Sequence, residues 1–351
     1  MTTDIKKKIA LVRCDTHAYW FGVFMEDYDI KALATHDESA PERVCAHNYF
    51  KDGNDYNKLK IKRVEGFTIS KIFDRIFEQG ADSKGEPILQ YSTYPKRAET
   101  FQKTFKSCPT ICETIEEATI DVDAAYIADA NTPGDGADHL ELARPFLEKS
   151  IPCFVDKPFT STLADAKEII RLAQENNTTV MSASILSYCD EGLQFKRRFD
   201  EIGGEGMLIV KGLGPANGAV IHGLGLAHGL FGYGVESVHC TGSHSLECIE
   251  LCYPDGRKAF VINPDFEFFP ITCTFYCSAY NKSGVIHAKP IGDPEFHTGT
   301  RRIVKLFKKM LDTGKPPVPY EQMLEPIAIM EAARIAQKEG KAVFLKDLLE
   351  G

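Results

Sequence analysis

The chain has 351 residues, 43% hydrophobic and 26% charged, which excludes a collagen-like, coiled-coil or disordered polymer and predicts two domains. With 41 basic against 50 acidic side chains the net charge is −9, so neither nucleic acid nor an anionic membrane surface is an expected partner. The apolar run after the basic start MTTDIKKK is only about four residues long, too short for a span or a signal-peptide core, and the expected location is the cytoplasm.

The 11 cysteines contain no CxxC pair, and their nearest spacings, such as Cys108/Cys112, are too wide for a zinc site. They are expected to be reduced, mostly buried thiols, and no metal is predicted.

Ile9–Val12 is a continuous apolar run and predicts a buried strand, followed by a helix over Thr16–Met25. Residues 27–66 are polar and irregular and are expected to form an excursion from the core. Gly66–Asp74 alternates as a second strand that ends in an acid. A second polar insert runs to about Pro95, and Lys96–Phe105 then has helical spacing. Asp123–Ala128 and Pro152–Val155 predict strands, with a helix over His139–Glu148 between them. Thr162–Asn176 is a marked helix: Ala166, Ile169, Ile170 and Ala173 fall at i, i+3, i+4 and i+7, and Thr162 with Asp165 forms a capping box. Val180–Ala183 is the next strand. Strand and helix alternating to residue 183 predict a parallel sheet covered on both faces.

From residue 206 to 290 the runs are β-rich and separated by turns such as Pro254-Asp255-Gly256, which predicts an antiparallel sheet. The C-terminus returns to helix. Ile303, Leu306, Phe307, Met310 and Leu311 form one face, and a last helix is expected over Glu325–Lys338 with Pro326 in its first turn.

The tripeptide Asp156-Lys157-Pro158 closes a strand of the parallel domain, where open α/β sheets bind ligands. A partly desolvated lysine there is suited to proton work. Asp123–Ala128, His139–Ala143, Val155–Phe159 and Asp165-Ala166 together resemble the Gfo/Idh/MocA oxidoreductase family, which usually shows Glu-Lys-Pro at this turn. Phe307, the run Gly314–Pro319 and Met330–Ala333 are similar to the family's C-terminal pattern. The resemblance covers the chain apart from the two inserts. It implies an α/β Rossmann domain over residues 1–158 that binds NAD, or less readily NADP. It also implies an α+β substrate domain over 159–351 with an open, mainly antiparallel sheet.

It further implies a catalytic histidine ten residues before a glycine, which in this chain is His222 before Gly232. Gly218 stands where the family usually has an aspartate, and His228 is the alternative imidazole. Lys157 then orients the substrate hydroxyl, and both Lys157 and Pro158 lie against the cofactor. Oxidising a secondary alcohol requires a base with a pKa near working pH, which suits histidine, and a cation for the developing alkoxide.

A dinucleotide-binding strand is ordinarily followed by G-x-G-x-x-G. Here the strand is followed by Arg13-Cys14-Asp15-Thr16-His17, so Thr16, His17 and the amides at the helix start are the candidate phosphate contacts. Asp74 suits the ribose hydroxyls and favours NAD over NADP, with Asp37 as its rival. Asp129 and Asn131 are expected beside the nicotinamide ribose.

The expected function is oxidation of a secondary hydroxyl on a sugar, cyclitol or glycoside. The alternatives are an NAD-dependent glycosidase acting by transient oxidation and elimination, and a non-catalytic nucleotide-binding regulator. An antiparallel sheet with one open face also predicts a homo-oligomer.

Overall fold

The computed structural model describes residues 6–33, 45, 62–74, 80–81, 87–88, 97–128, 136–212, 220–243, 246–264 and 274–350. It divides into two units. The first takes in residues 1–156, 168–181 and 304–317, and the second takes in 157–167, 182–303 and 318–351.

The first unit is built on six parallel strands. Their spatial order is Thr110–Ile111, Phe67–Phe73, Lys7–Val12, Ala124–Ile127, Cys153–Val155 and Val180–Met181. Numbered along this sheet the order is 3-2-1-4-5-6, the doubly wound Rossmann arrangement, which reverses between Lys7–Val12 and Ala124–Ile127. The central strands are buried on both faces, which is why they read as unbroken apolar runs. Phe307, in the helix Asp293–Thr313, stacks on Phe67 at 5.7 Å and reaches Phe154 at the same centroid distance.

The helix Thr16–Met25 matches its expected bounds, and Thr110–Ile111 is a strand that has no signal in the sequence. Most of the 27–66 excursion lies outside the described residues, as does Asp37. Ile30–Leu33 within it is a short helix.

The second unit holds a mixed, mainly antiparallel sheet of eight strands. Along its main path lie Gly284–His287, Thr274–Asn281, Met207–Lys211, Lys258–Pro264, Leu246–Cys252, Ser237–Ser243 and Val343–Phe344. Only the pairing of Lys258–Pro264 with Met207–Lys211 is parallel within this path. One face is fully buried through Leu208, Val210, Ala259, Val261, Ile249 and Leu251. The helix Val220–Phe231 lies against the two parallel strands, and the helix Tyr320–Glu339 lies against Ser237–Ser243.

That last helix starts five residues earlier than expected, so Pro326 is inside it and not in its first turn. Packing carries the helix through, although the proline has no N–H for the Gln322 carbonyl. The Thr162 cap is present, with its hydroxyl oxygen accepting from the Asp165 amide at 3.1 Å. The shorter Asp165 carboxylate accepts from the Thr162 hydroxyl at 2.7 Å.

Val220–Phe231 packs closely because of its glycines. A Cβ at Gly225 would lie 2.4 Å from Ser184 Oγ and 2.6 Å from Ser184 Cβ. Gly225→Ala is therefore expected to destabilise the protein by about 1–3 kcal/mol. The helix-propensity gain of up to ~1 kcal/mol does not offset an overlap with an atom fixed to the backbone. Thermal unfolding checks this, with a melting temperature lower by roughly 2–10 °C.

Candidate active site

In the first unit, the carboxyl ends of the strands converge on a set of polar groups. Arg13 follows the first strand with φ 76°, the left-handed region a loop glycine would otherwise supply. Its buried guanidinium lies 3.8 Å from Asp138. Asp15 caps the next helix, its carboxylate accepting from the amides of His17 at 3.0 Å and Ala18 at 3.4 Å. His17 is buried, stacks on Trp20 at 4.9 Å, and pairs through Nδ1 with Asp156. The His17–Asp156 contact thus joins the Asp-Lys-Pro turn to the degenerate glycine loop.

Asp74 is where the sequence places the ribose acid, and it is engaged. Arg97 Nη2 donates to its Oδ1 at 2.6 Å and Nε to its Oδ2 at 2.9 Å, while the Cys14 amide donates at 3.2 Å. A carboxylate can accept more bonds than these three, so capacity for a hydroxyl remains. Burial, then the Asp74 charge, pushes the Cys14 thiol well up, so it stays protonated beside this acid. Thr16 opens the helix and is half-buried. Asp129 and Asn131 lie outside the described residues.

The residues present fit a dinucleotide on two counts. A helix starts at the point where strand order reverses, and an acid closes the second strand. The loop keeps a glycine-like backbone at Arg13 without the glycine.

The second unit contains a pocket of about 400 Å3 of empty space, part of it open to solvent. Lys157, 8% exposed, lines it together with Ser184, Ile221, Gly225, His228 and Tyr233. Ile221, Gly225 and His228 recur at i, i+4 and i+7, so one stripe of Val220–Phe231 forms a wall. His222 is about 100° round the helix from Ile221 and is not among the lining residues. Its ring, half-buried, is 5.9 Å from Phe275. The structure therefore brings Lys157 together with His228, and places His222 on a neighbouring stripe. Gly218 lies outside the described residues.

His228 is fixed on two sides. Its ring stacks on Tyr233 at 4.4 Å, and its Nε2 is 3.1 Å from Glu325 Oε1. Glu325 is itself held by the amides of Gly234, at 2.8 and 3.0 Å, and Val235, at 3.2 Å. Burial, then the charges of Tyr188 and Glu325, push the Tyr233 phenol up, so it remains a neutral hydroxyl. Glu325, Tyr233, Ser184, Arg97 and Asp156 are site residues to which sequence reasoning gave no role. Only Asp156 had a signal, its place in the Asp-Lys-Pro turn. No cluster of three or more metal-binding side chains occurs among the described residues. No described helix is long and apolar enough to cross a membrane.

The sequence pattern of the oxidoreductase family with an NAD-binding Rossmann fold, Gfo/Idh/MocA, matches residues 73–184. Over these residues the chain is similar to that family. A curated relative, scyllo-inositol 2-dehydrogenase (NADP(+)) IolU of Bacillus subtilis, is 28% identical over 134 residues, 38% of this chain and 39% of its own length. Among solved structures, an oxidoreductase from Agrobacterium radiobacter in complex with NAD+, L-tartaric acid and magnesium superposes with a TM-score of 0.66 at 15% identity. That superposition covers 98% of this chain and 99% of the other. A myo-inositol dehydrogenase from Corynebacterium glutamicum gives a TM-score of 0.64 at 13% identity, covering 97% and 99%. These likenesses establish the shared fold.

Proposed function

We propose that the protein is an NAD-dependent dehydrogenase that oxidises a secondary hydroxyl of a cyclitol or related sugar. The observation that carries this reading is the buried Lys157 in a pocket with a carboxylate-held imidazole, directly after the strand-end acid of a Rossmann sheet. Lys157 orients the hydroxyl and stabilises the negative charge that develops on its oxygen. The resemblance names His222 as proton acceptor, on the same helix as His228. The cyclitol class is favoured by the inositol dehydrogenases among the similar proteins.

Thr16, His17 and Asp74 are the residues proposed to hold the dinucleotide, with Lys157 and Pro158 at its reactive end. Asp129 and Asn131 remain part of the same proposal. When bound, NAD would supply the hydride acceptor, and the protein supplies orientation and charge.

Incubating the purified protein with NAD and a panel of inositols, sugars and glycosides tests the reading. The expected result is NADH formation with a matching ketone. Free sugar released from a glycoside without NADH would instead indicate elimination chemistry, and no dinucleotide binding at all would overturn the proposal.

Cofactor choice has its own test at Asp74, whose carboxylate neutralises the buried Arg97. Asp74→Ser removes the carboxylate that this guanidinium hydrogen-bonds, at a cost of about 3–5 kcal/mol. A 2′-phosphate restores an anionic partner. The expected result is that NADP raises the variant's melting temperature more than NAD does, reversing the wild-type order.

A homo-oligomer belongs to the same proposal. Leu246, Tyr276, Val285 and Phe344 are exposed apolar residues of the second sheet, and the strand registers put all four on one face.

A further inference from the structure

Two residues that line the pocket each hold a buried polar atom with no hydrogen-bond partner among the described residues: Nδ1 of His228, a residue 3% exposed, and Oγ of Ser184, a residue 9% exposed. Leaving such groups unsatisfied costs about 1–3 kcal/mol each. They sit close together in the fold, since the Cβ site of Gly225, three residues before His228, is 2.4 Å from Ser184 Oγ. Two such groups on residues that line one pocket together with Lys157 are what a polyhydroxylated ligand would complete.

The state of His228 follows from its partner. Glu325 already accepts two backbone amides, so as a carboxylate it takes the imidazole as a third donor. Nε2 then carries the proton, and Nδ1 keeps its lone pair. The Tyr233 phenol, pushed up by burial and stacked on the ring, is unsuited to act as the base.

We propose that His228, held by Glu325, is the catalytic base that takes the substrate hydroxyl proton on Nδ1, and that Ser184 Oγ binds a neighbouring hydroxyl of the same polyol. This rests on the dehydrogenase reading above. In the step, the O–H bond of the alcohol breaks toward Nδ1 as the carbinol C–H leaves as hydride to an oxidised nicotinamide. The products are a ketone, a reduced nicotinamide and an imidazolium that returns its proton to solvent. Glu325 acts through His228 and is a positioning residue. The base thereby lies six residues beyond His222, and Glu325 supplies the acidic helper that Gly218 does not.

Histidine-selective 15N NMR of the wild-type protein, titrated with myo-inositol and scyllo-inositol, tests this without relying on turnover. The expected result is one histidine whose Nδ1 has the unprotonated signature and shifts on cyclitol addition, with that signal missing in His228→Gln. In kinetics, His228→Gln is expected to lose at least about 100-fold in kcat with NAD affinity retained, and at least tenfold more than His222→Gln. Glu325→Gln is expected to lower kcat with little change in KM, because it disturbs the tautomer and not the ligand contacts. A cyclitol response on His222, or a larger kinetic loss there, overturns the assignment while leaving the dehydrogenase reading intact. A wild-type protein that neither oxidises nor responds to any polyol overturns the reading itself.

Discussion

Lys157→Met is expected to lower kcat by about 10²–10³-fold, equivalent to about 2.7–4 kcal/mol of transition-state stabilisation. The substitution keeps an unbranched apolar stem in a wall that leaves the lysine 8% exposed, and removes only the ammonium. The lost charge matters more as the alcohol oxygen becomes an alkoxide than in the ground state, so kcat falls further than the apparent affinity for polyol. Lys157→Arg is not a rescue. A planar guanidinium with five fixed donors is larger than a compact ammonium, and Phe159, Ile221 and Tyr233 line the same pocket. Steady-state kinetics on a cyclitol, with NAD binding measured separately, checks both parts. An unchanged kcat in Lys157→Met would remove the lysine from the chemistry.

Lys157 was legible in the sequence because its position is a local property. A short apolar strand, Cys153–Val155, ends one residue before the Asp-Lys-Pro turn, and strand ends are where such sheets bind ligands. The buried parallel strands were legible for the same reason, since burial on both faces leaves an unbroken apolar run. Thr110–Ile111 was not. It is two exposed residues paired with a single neighbouring strand, and neither periodicity nor composition marks it.

The His228–Glu325 contact joins residues 97 apart, and His17–Asp156 joins residues 139 apart. No spacing rule reaches that far. Register to Gly232 selected His222, whereas the stripe at 221, 225 and 228 is set by which side of the helix the close-packed Gly225 turns toward Ser184. Pro326 illustrates the same limit. Local rules put it at a helix start, and tertiary packing placed it seven residues into the helix that carries Glu325.

Phe260→Lys is expected to dissociate the proposed oligomer while leaving the subunit folded. Phe260 pairs in register with Ile209 and Glu250, in the middle of the second sheet and on the same face as Leu246, Tyr276, Val285 and Phe344. Along the strand Lys258–Pro264 the burial pattern alternates, with Ala259 and Val261 fully buried and Phe260 and Ile262 only partly so. The strand Met207–Lys211 shows the same alternation, with Leu208 and Val210 buried between Met207 and Ile209. A lysine at Phe260 therefore meets solvent in an isolated subunit, at little cost to the fold. In a face-to-face assembly the same ammonium would be desolvated without a partner, at several kcal/mol per copy. A lysine at Val261 reverses the order, because that side chain is 0% exposed within the subunit. It is expected to unfold the unit before any effect on association is seen. Native mass spectrometry with thermal unfolding separates the two: Phe260→Lys gives monomer near wild-type melting temperature, and Val261→Lys gives a large loss of stability. A Phe260→Lys variant that keeps the wild-type assembly would show that this face is not the interface.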